Sequence, residues 1–283
     1  MKQLLFRVPG LGIPVYGFGL LVVIGFYVGL FVAVRRSRRE RLDPEVVYEL
    51  TVWMLVGGMV GARLFYVVEY WGEKIHTIAQ AFKVWEGGIV FYGGFIGGLG
   101  ALFLYRAFRP FPLLPTLDAI APSIALGTAL GRVGCFLNGC CYGDLCDISW
   151  LAVRFPAGSP PWLAERTQGL IASDATRSLP LHPTQLYSAV DGLLLFALLT
   201  AYYPIRRRDG EVMSLLLITY PVTRFLVERL RDDEVALASG FTIAQTISLF
   251  VLASGLMFWS WLSARPEKRW ADAPEVAVAR PSS

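Results

Sequence analysis

Two arginines stand where apolar sequence would not tolerate them alone. Arg132 closes the apolar run 114–130 and opens the segment 131–143, Gly-Arg-Val-Gly-Cys-Phe-Leu-Asn-Gly-Cys-Cys-Tyr-Gly. Arg224 lies inside a second apolar run, 213–230, with Tyr220, Glu228 and Arg231 spaced four, four and three residues apart. That spacing puts all four on one helical face. A guanidinium in hydrocarbon costs about 2.5–3.5 kcal/mol unless it is paired or reaches water. Its planar fork matches phosphate oxygens two at a time and stays charged at any relevant pH. Two such groups on separate runs point to a buried anionic ligand. Simpler readings stand beside this one. Arg132 can snorkel to an interface, and Arg224 can pair with Glu228 within its own helix. Arg231 on the same stripe leaves one carboxylate against two arginines, which favours an anion.

Other polar residues punctuate the apolar sequence. His182 precedes Pro183 at the start of a run, and Gln185 follows one turn in on the same side. This is the place of an interfacial histidine or of a functional one. Tyr16 and Tyr92 sit among glycines within apolar runs; a buried hydroxyl there needs a partner. Cys135, Cys140, Cys141 and Cys146 are the only cysteines. A structural disulfide, inert thiols and a redox pair all remain open. The adjacent pair Cys140-Cys141 is poor spacing for one tetrahedral zinc.

The elements that must position these residues are membrane spans. The chain is 55% hydrophobic and 17% charged, and its apolar residues fall in runs of about the 20 needed to cross a bilayer. The runs predict seven transmembrane helices, near 14–34, 46–68, 88–107, 115–135, 183–203, 212–230 and 241–263. The first is too long for a signal peptide and lacks a small-residue cleavage site. Arg35, Arg36, Arg38, Arg39 and Arg41 follow it. With Arg106, Arg109, Arg206 to Arg208, Arg265, Lys268 and Arg269 they collect on one side, the cytoplasmic one. The expected fold is therefore an all-α membrane protein, N-out and C-in. Residues 1–270 form a single integral membrane domain with a small outward head at 144–182, and 271–283 form a disordered tail. The net charge of +4 is explained by the juxtamembrane face and needs no nucleic acid.

Local patterns refine this. Residues 69–87, with Glu69, Tyr70, Trp71, Glu73, Lys74, His76 and Trp85, predict an interfacial arm. Alternation over 148–155 predicts one short strand in the head, broken by Pro156, Gly158, Pro160 and Pro161. Gly57-x-x-x-Gly61, Gly93-x-x-x-Gly97 and Gly94-x-x-x-Gly98 predict close helix packing in lipid. A lesser reading has Gly87-Gly88 and Gly93-Gly94 make room for a headgroup. Pro221 predicts a kink beside Tyr220 and Arg224.

Taken together, these segments resemble the prolipoprotein diacylglyceryl transferases over nearly the whole chain, to about residue 263. Gly131-Arg-x-Gly-x-Phe-x-Asn-Gly is similar to that family's signature. His182-Pro-Thr-Gln-Leu-Tyr187 and Tyr220-x-x-x-Arg-Phe-x-x-Glu-x-x-Arg231 are similar to two further motifs, and Tyr16-Gly17 to an aromatic-Gly near its first span. The resemblance implies a bacterial inner-membrane enzyme with its site towards the outer leaflet. Such an enzyme moves the diacylglyceryl group of phosphatidylglycerol to the lipobox cysteine thiol of a preprolipoprotein, forming a thioether and releasing glycerol phosphate. It further implies that Arg132 binds the phosphate, that Arg224 is a second essential arginine, and that Asn138, Glu228 and Arg231 hold polar motif positions.

The chain departs from the family's pattern twice. Tyr92-Gly93-Gly94 stands where members carry His-Gly-Gly, and a phenol is a poorer base near neutrality than an imidazole. We therefore expect His182 to orient or accept the thiol proton and Tyr92 to hydrogen-bond the lipid. Cys135 and Cys140 replace a familiar Asn and Glu, which leaves Glu228 as the main counter-charge. On this reading the catalytic set is His182, Arg224, Glu228 and Tyr92. The substrate-binding set is Arg132, Asn138, Tyr16, Gln185, Tyr220 and Arg231.

The chemistry needs a stabilised leaving phosphate, a deprotonated thiol and sideways lipid entry, but no metal or organic cofactor. Two alternatives compete with it. A membrane thiol–quinone oxidoreductase explains the cysteines but leaves the arginines idle. An anion or phospholipid transporter explains the arginines but is disfavoured by the absence of a sequence repeat.

Overall fold

The structure is a computed structural model and describes residues 4–7, 14–83, 87–88, 90–231 and 240–272. Its long elements are helices: α1 (Gly17–Arg39), α2 (Pro44–Glu69), α4 (Phe91–Phe108), α5 (Leu113–Asn138), α7 (Thr184–Tyr202), α8 (Glu211–Glu228) and α9 (Ile243–Ser263). Two short helices, α3 (Ile78–Ala81) and α6 (Pro160–Thr167), lie between them. Five helical segments are long and apolar enough to cross a membrane: α1, α2, α5, α9, and α7 with the turn after it. Among the described residues, α4 and α8 fall outside that group; α8 carries Glu211, Arg224 and Glu228 within eighteen residues.

Chemistry local to each helix sets its ends. Asp43 caps α2, its carboxylate accepting the Glu45 N–H at 2.9 Å, with Pro44 in the first turn, where proline's missing donor costs nothing. Thr242 and Gln245 form a reciprocal capping box on α9. The first helix begins and ends later than expected, at Gly17 and Arg39. Pro14–Tyr16 is a strand (β2) paired antiparallel with Leu4–Arg7 (β1), so Tyr16 ends a hairpin and is 53% exposed. Helix α8 continues through Pro221. The proline leaves the Leu217 carbonyl without its helical donor, and Gly255 of α9 packs there, where a Cβ would lie 2.9 Å from that oxygen.

The chain divides into two compact units, residues 34–116 and the remainder. In the smaller unit α2 packs on α4 through the expected glycines. A Cβ on Gly61 would lie 2.3 Å from the Gly93 carbonyl oxygen, and one on Gly97 would lie 2.2 Å from that of Gly57. These are backbone approaches that no side chain permits, so Gly93 serves packing. Gly97→Ala should force the helices apart, an overpacking cost of about 1–3 kcal/mol or more. Gly100, with nothing within 4 Å of its Cβ position, is the control. Gly100→Ala should leave the thermal midpoint in detergent unchanged or raised, whereas Gly97→Ala lowers it; equal midpoints would remove the close approach.

The segment after α2 is built around an arginine of that helix. Arg63, 7% exposed, donates to the carbonyls of Gln80, Ala81, Gly87 and Gly88 at 2.6–2.9 Å. Four carbonyl partners satisfy a buried guanidinium without an anion. Gly88 is part of this clamp, and a Cβ on it would lie 2.5 Å from the Tyr66 ring. Trp71, Ile78 and Phe82 remain exposed along the segment. Trp85 lies outside the described residues.

In the larger unit α8 packs against α7 and α9, around Leu195, Leu199, Val212 and Leu216. Asp118 of α5 caps α8 from outside, accepting the Gly210 and Met213 N–H groups at 2.7 and 2.9 Å. Its carboxylate also lies 3.4 Å from buried Arg206. The head differs from expectation. No strand forms over 148–155; only isolated bridges join Val153 to Leu181 and Pro156 to Arg177. Pro160 and Pro161 open α6 instead of merely ending a strand. The tail expected at 271–283 begins with a 3-10 turn, Trp270–Asp272, and 273–283 lie outside the described residues.

Candidate active site

Three segments distant in sequence meet at the C-terminal ends of α5 and α8 and the N-terminal end of α7. Helix α5 ends at Asn138, and the chain turns back through Gly139 (φ 78). The Gly143 N–H then donates to the His182 carbonyl at 3.0 Å, and the His182 N–H donates to Asp144 at 2.9 Å. On its other side the Asp144 N–H donates to the Leu230 carbonyl at 2.9 Å, and Gly143 bridges Arg231. Gly143 is required here, because a Cβ would lie 2.5 Å from the Leu230 oxygen. The motifs at 131–143, 182–187 and 220–231 are thus stitched together through backbone.

Below this junction three helices line one cleft. Thr128 and Arg132 come from α5, Ser188 and Asp191 from α7, and Tyr220, Arg224 and Val227 from α8. Each set is spaced three or four residues, so each helix turns one face inward. Both anticipated arginines, from separate helices, face the same space. Arg224 also pairs with Glu228, so the intrahelical ion pair and the cleft position coexist. Glu228 is 2% exposed. It faces Arg231 at 3.5 Å and accepts from Thr242 Oγ1 at 3.4 Å. One buried carboxylate therefore answers two guanidinium groups. Arg132 makes no hydrogen bond or ion pair with a described residue.

The other expected residues divide. Gln185, fully buried, donates through Nε2 to the Cys140 carbonyl at 2.8 Å, and its Oε1 has no donor among the described residues. His182 is half-buried, with Nδ1 3.0 Å from the Tyr187 hydroxyl. If Nδ1 carries the proton towards Tyr187, Nε2 is left as an acceptor. Asn138 lies in a groove with Gly139, Pro156 and Ser159. Tyr16 stands on the hairpin, and Tyr92 is a half-buried, partnered residue of α4 in the smaller unit. Tyr16 is not among the residues that line the cleft. Asp191 and Ser188 were not anticipated. Asp191 accepts from Thr223 Oγ1 at 2.8 Å. A carboxylate inside the apolar run 183–203 was signal enough, since such groups mark functional positions in membranes.

The profile described as Prolipoprotein diacylglyceryl transferase matches residues 3–261. The chain belongs to that family. Among curated relatives, the phosphatidylglycerol–prolipoprotein diacylglyceryl transferase of Clostridium tetani is 32% identical over 260 residues, covering 92% of this chain and 97% of its own. The enzyme of the same name from Synechococcus elongatus is 32% identical over 251 residues, covering 87% and 82%. That of Paracidovorax citrulli is 31% identical over 273 residues, covering 90% and 94%. A prolipoprotein diacylglyceryl transferase needs a place for a phosphate ester against apolar helices. Arg132 and Arg224 both line the cleft.

Proposed function

We propose that this chain transfers the diacylglyceryl group of phosphatidylglycerol to the lipobox cysteine thiol of a preprolipoprotein. The observation that carries this reading is the convergence of Arg132 and Arg224 on one cleft while Glu228 is engaged with Arg224 and Arg231. In the reaction the thiol sulfur bonds to the terminal glycerol carbon that carries the phosphate ester. The carbon–oxygen bond to phosphate breaks, and its electron pair leaves on glycerol phosphate. Negative charge builds on the departing phosphate, where preorganised guanidinium groups in a water-poor site stabilise it most. The thiol proton passes to a base, which we assign to His182 through Nε2. Tyr92 hydrogen-bonds the lipid. Tyr220 completes the cleft wall, Asn138 and Arg231 flank it and Tyr16 meets substrate outside it, while buried Gln185 acts by holding the Cys140 backbone.

The direct test combines purified protein, phosphatidylglycerol vesicles and a lipobox peptide, with mass spectrometry to find the diacylglyceryl adduct. Folded protein that yields no adduct overturns the reading. The same assay addresses the base. His182→Gln should slow transfer and flatten the acidic limb of the pH–rate profile, because the group that must lose its proton is gone. An unchanged profile reassigns the base.

The proposal includes seven spans, N-out and C-in, in the bacterial inner membrane, with the cleft towards the outer leaflet. Its support is the clustering of Arg36, Arg38 and Arg39 in the last turn of α1 and Arg106 in that of α4, with Arg206, Arg207 and Arg208 between α7 and α8. A reporter fused after Arg269 should behave as cytoplasmic, and one inserted at Gly158 as external. A cytoplasmic signal from Gly158 reverses the topology.

A further inference from the structure

The transfer chemistry leaves the cysteines unused, yet three of them are gathered. Cys135 lies in the last turn of α5. The N–H groups of Gly139 and Cys140 both return to its carbonyl, at 2.8 and 3.2 Å, which folds Cys140 back over it. Cys141 then takes a left-handed backbone, φ 58. A non-glycine residue pays about 1–2 kcal/mol for that conformation. Adjacent side chains on extended backbone point to opposite sides, whereas this turn lets Cys140 and Cys141 face the same way. The three sulfur atoms lie within 4.8 Å of one another.

The arrangement is held from outside. Gln185 Nε2 donates to the Cys140 carbonyl and Thr184 Oγ1 to that of Cys141, each at 2.8 Å, and both donors are buried. A thiolate is the form that binds metal. Cys146 stands apart, its thiol directed to the Ile148 carbonyl at 3.6 Å.

We propose that Cys135, Cys140 and Cys141 form a three-thiolate site for a soft, thiophilic cation, with copper(I) favoured over zinc. Soft sulfur donors select copper(I) and zinc among common metals. Zinc completes four ligands in structural sites, and no histidine, aspartate or glutamate joins the three thiols among the described residues. Three converging sulfurs suit copper(I). Each metal–sulfur bond displaces a proton from a thiol still protonated, and that proton goes to solvent. Copper arrives as copper(I), so no electron moves.

The test uses full-length protein in detergent, reduced and freed of reductant without air. It is titrated with copper(I) against a coloured copper(I) chelator, with zinc(II) in a parallel arm. The expected result is one copper(I) held per chain against the chelator, with three sulfur neighbours by X-ray absorption. Affinity should fall at least about tenfold on losing any one thiolate of three, in Cys135→Ser, Cys140→Ser and Cys141→Ser alike, while Cys146→Ser matches the parent. Should those variants fail to fold, alkylation of the unaltered protein decides. Bound copper(I) should protect those three cysteines and not Cys146. Copper(I) lost to the chelator, protection that includes Cys146, a disulfide between any two of the three after reduction, or zinc held in preference to copper would each overturn the proposal.

Discussion

Arg132→Lys and Arg224→Lys are each expected to slow diacylglyceryl transfer by tenfold to over a hundredfold while leaving membrane insertion intact. Both side chains line one cleft, on helices α5 and α8. A lysine keeps the charge but loses the planar fork that meets two phosphate oxygens at once. One hydrogen bond to a charged group is worth about 1.5–3 kcal/mol, more where it strengthens as the phosphate leaves, and about 1.4 kcal/mol is a factor of ten in rate. The losses should fall mainly on kcat if the arginines act on developing charge, and on KM if they only hold the lipid. Because both would grip one phosphate, the double variant should lose less than the two single losses combined. Near-normal transfer in either folded lysine variant would remove that arginine from the phosphate site. Strict additivity would place the two on different groups.

The arginines could be found in the sequence because hydrocarbon is an intolerant solvent. A charge there is costly enough that its presence is already a statement about partners. The same intolerance made the long apolar helices legible: the run expected at 241–263 is Ile243–Ser263, and that at 46–68 is Pro44–Glu69. Caps sharpen such ends, as Thr242 with Gln245 does. Glycine spacing revealed the α2–α4 seam for a related reason, since only glycine allows backbone approaches of the kind at Gly61 and Gly97.

What stayed hidden depends on contacts between segments far apart in the chain. Periodicity says which face of a helix is special, not which loop lies against it. Nothing near Arg63 in sequence announces the carbonyls of residues 80–88 that satisfy it. Alternation at 148–155 is the pattern of a strand, but a strand needs a partner of matching length. The head offers Leu181 and Arg177 only as single bridges. The adjacency of Cys140 and Cys141 argued against their acting together until the left-handed turn at Cys141 was known.

Glu228→Gln should be the most damaging single change in the site, and its rescue should be diagnostic. The carboxylate is buried between Arg224 and Arg231 and accepts from Thr242. Removing one partner of a buried ion pair typically costs about 3–5 kcal/mol, because the other charge is left desolvated without an answer. Here Arg224 loses the carboxylate beside it in the cleft. The variant should therefore show a marked fall in thermal midpoint in detergent and transfer reduced beyond either lysine variant. If the cleft takes a phosphate, that anion should partly replace the missing charge. Phosphatidylglycerol added to the micelles should then raise the midpoint of the Glu228→Gln protein more than that of the parent, since a ligand stabilises in proportion to its preference for the folded state. A zwitterionic phosphatidylcholine, with no net charge to offer, should raise neither selectively. Glu228→Asp, which keeps the charge on a shorter arm, should recover most of the stability but less of the rate, because the carboxylate no longer fixes Arg224 where the leaving phosphate needs it. Equal stabilisation of parent and Glu228→Gln by phosphatidylglycerol would mean that the lipid phosphate does not reach Arg224, and the two-arginine site would fail on that point.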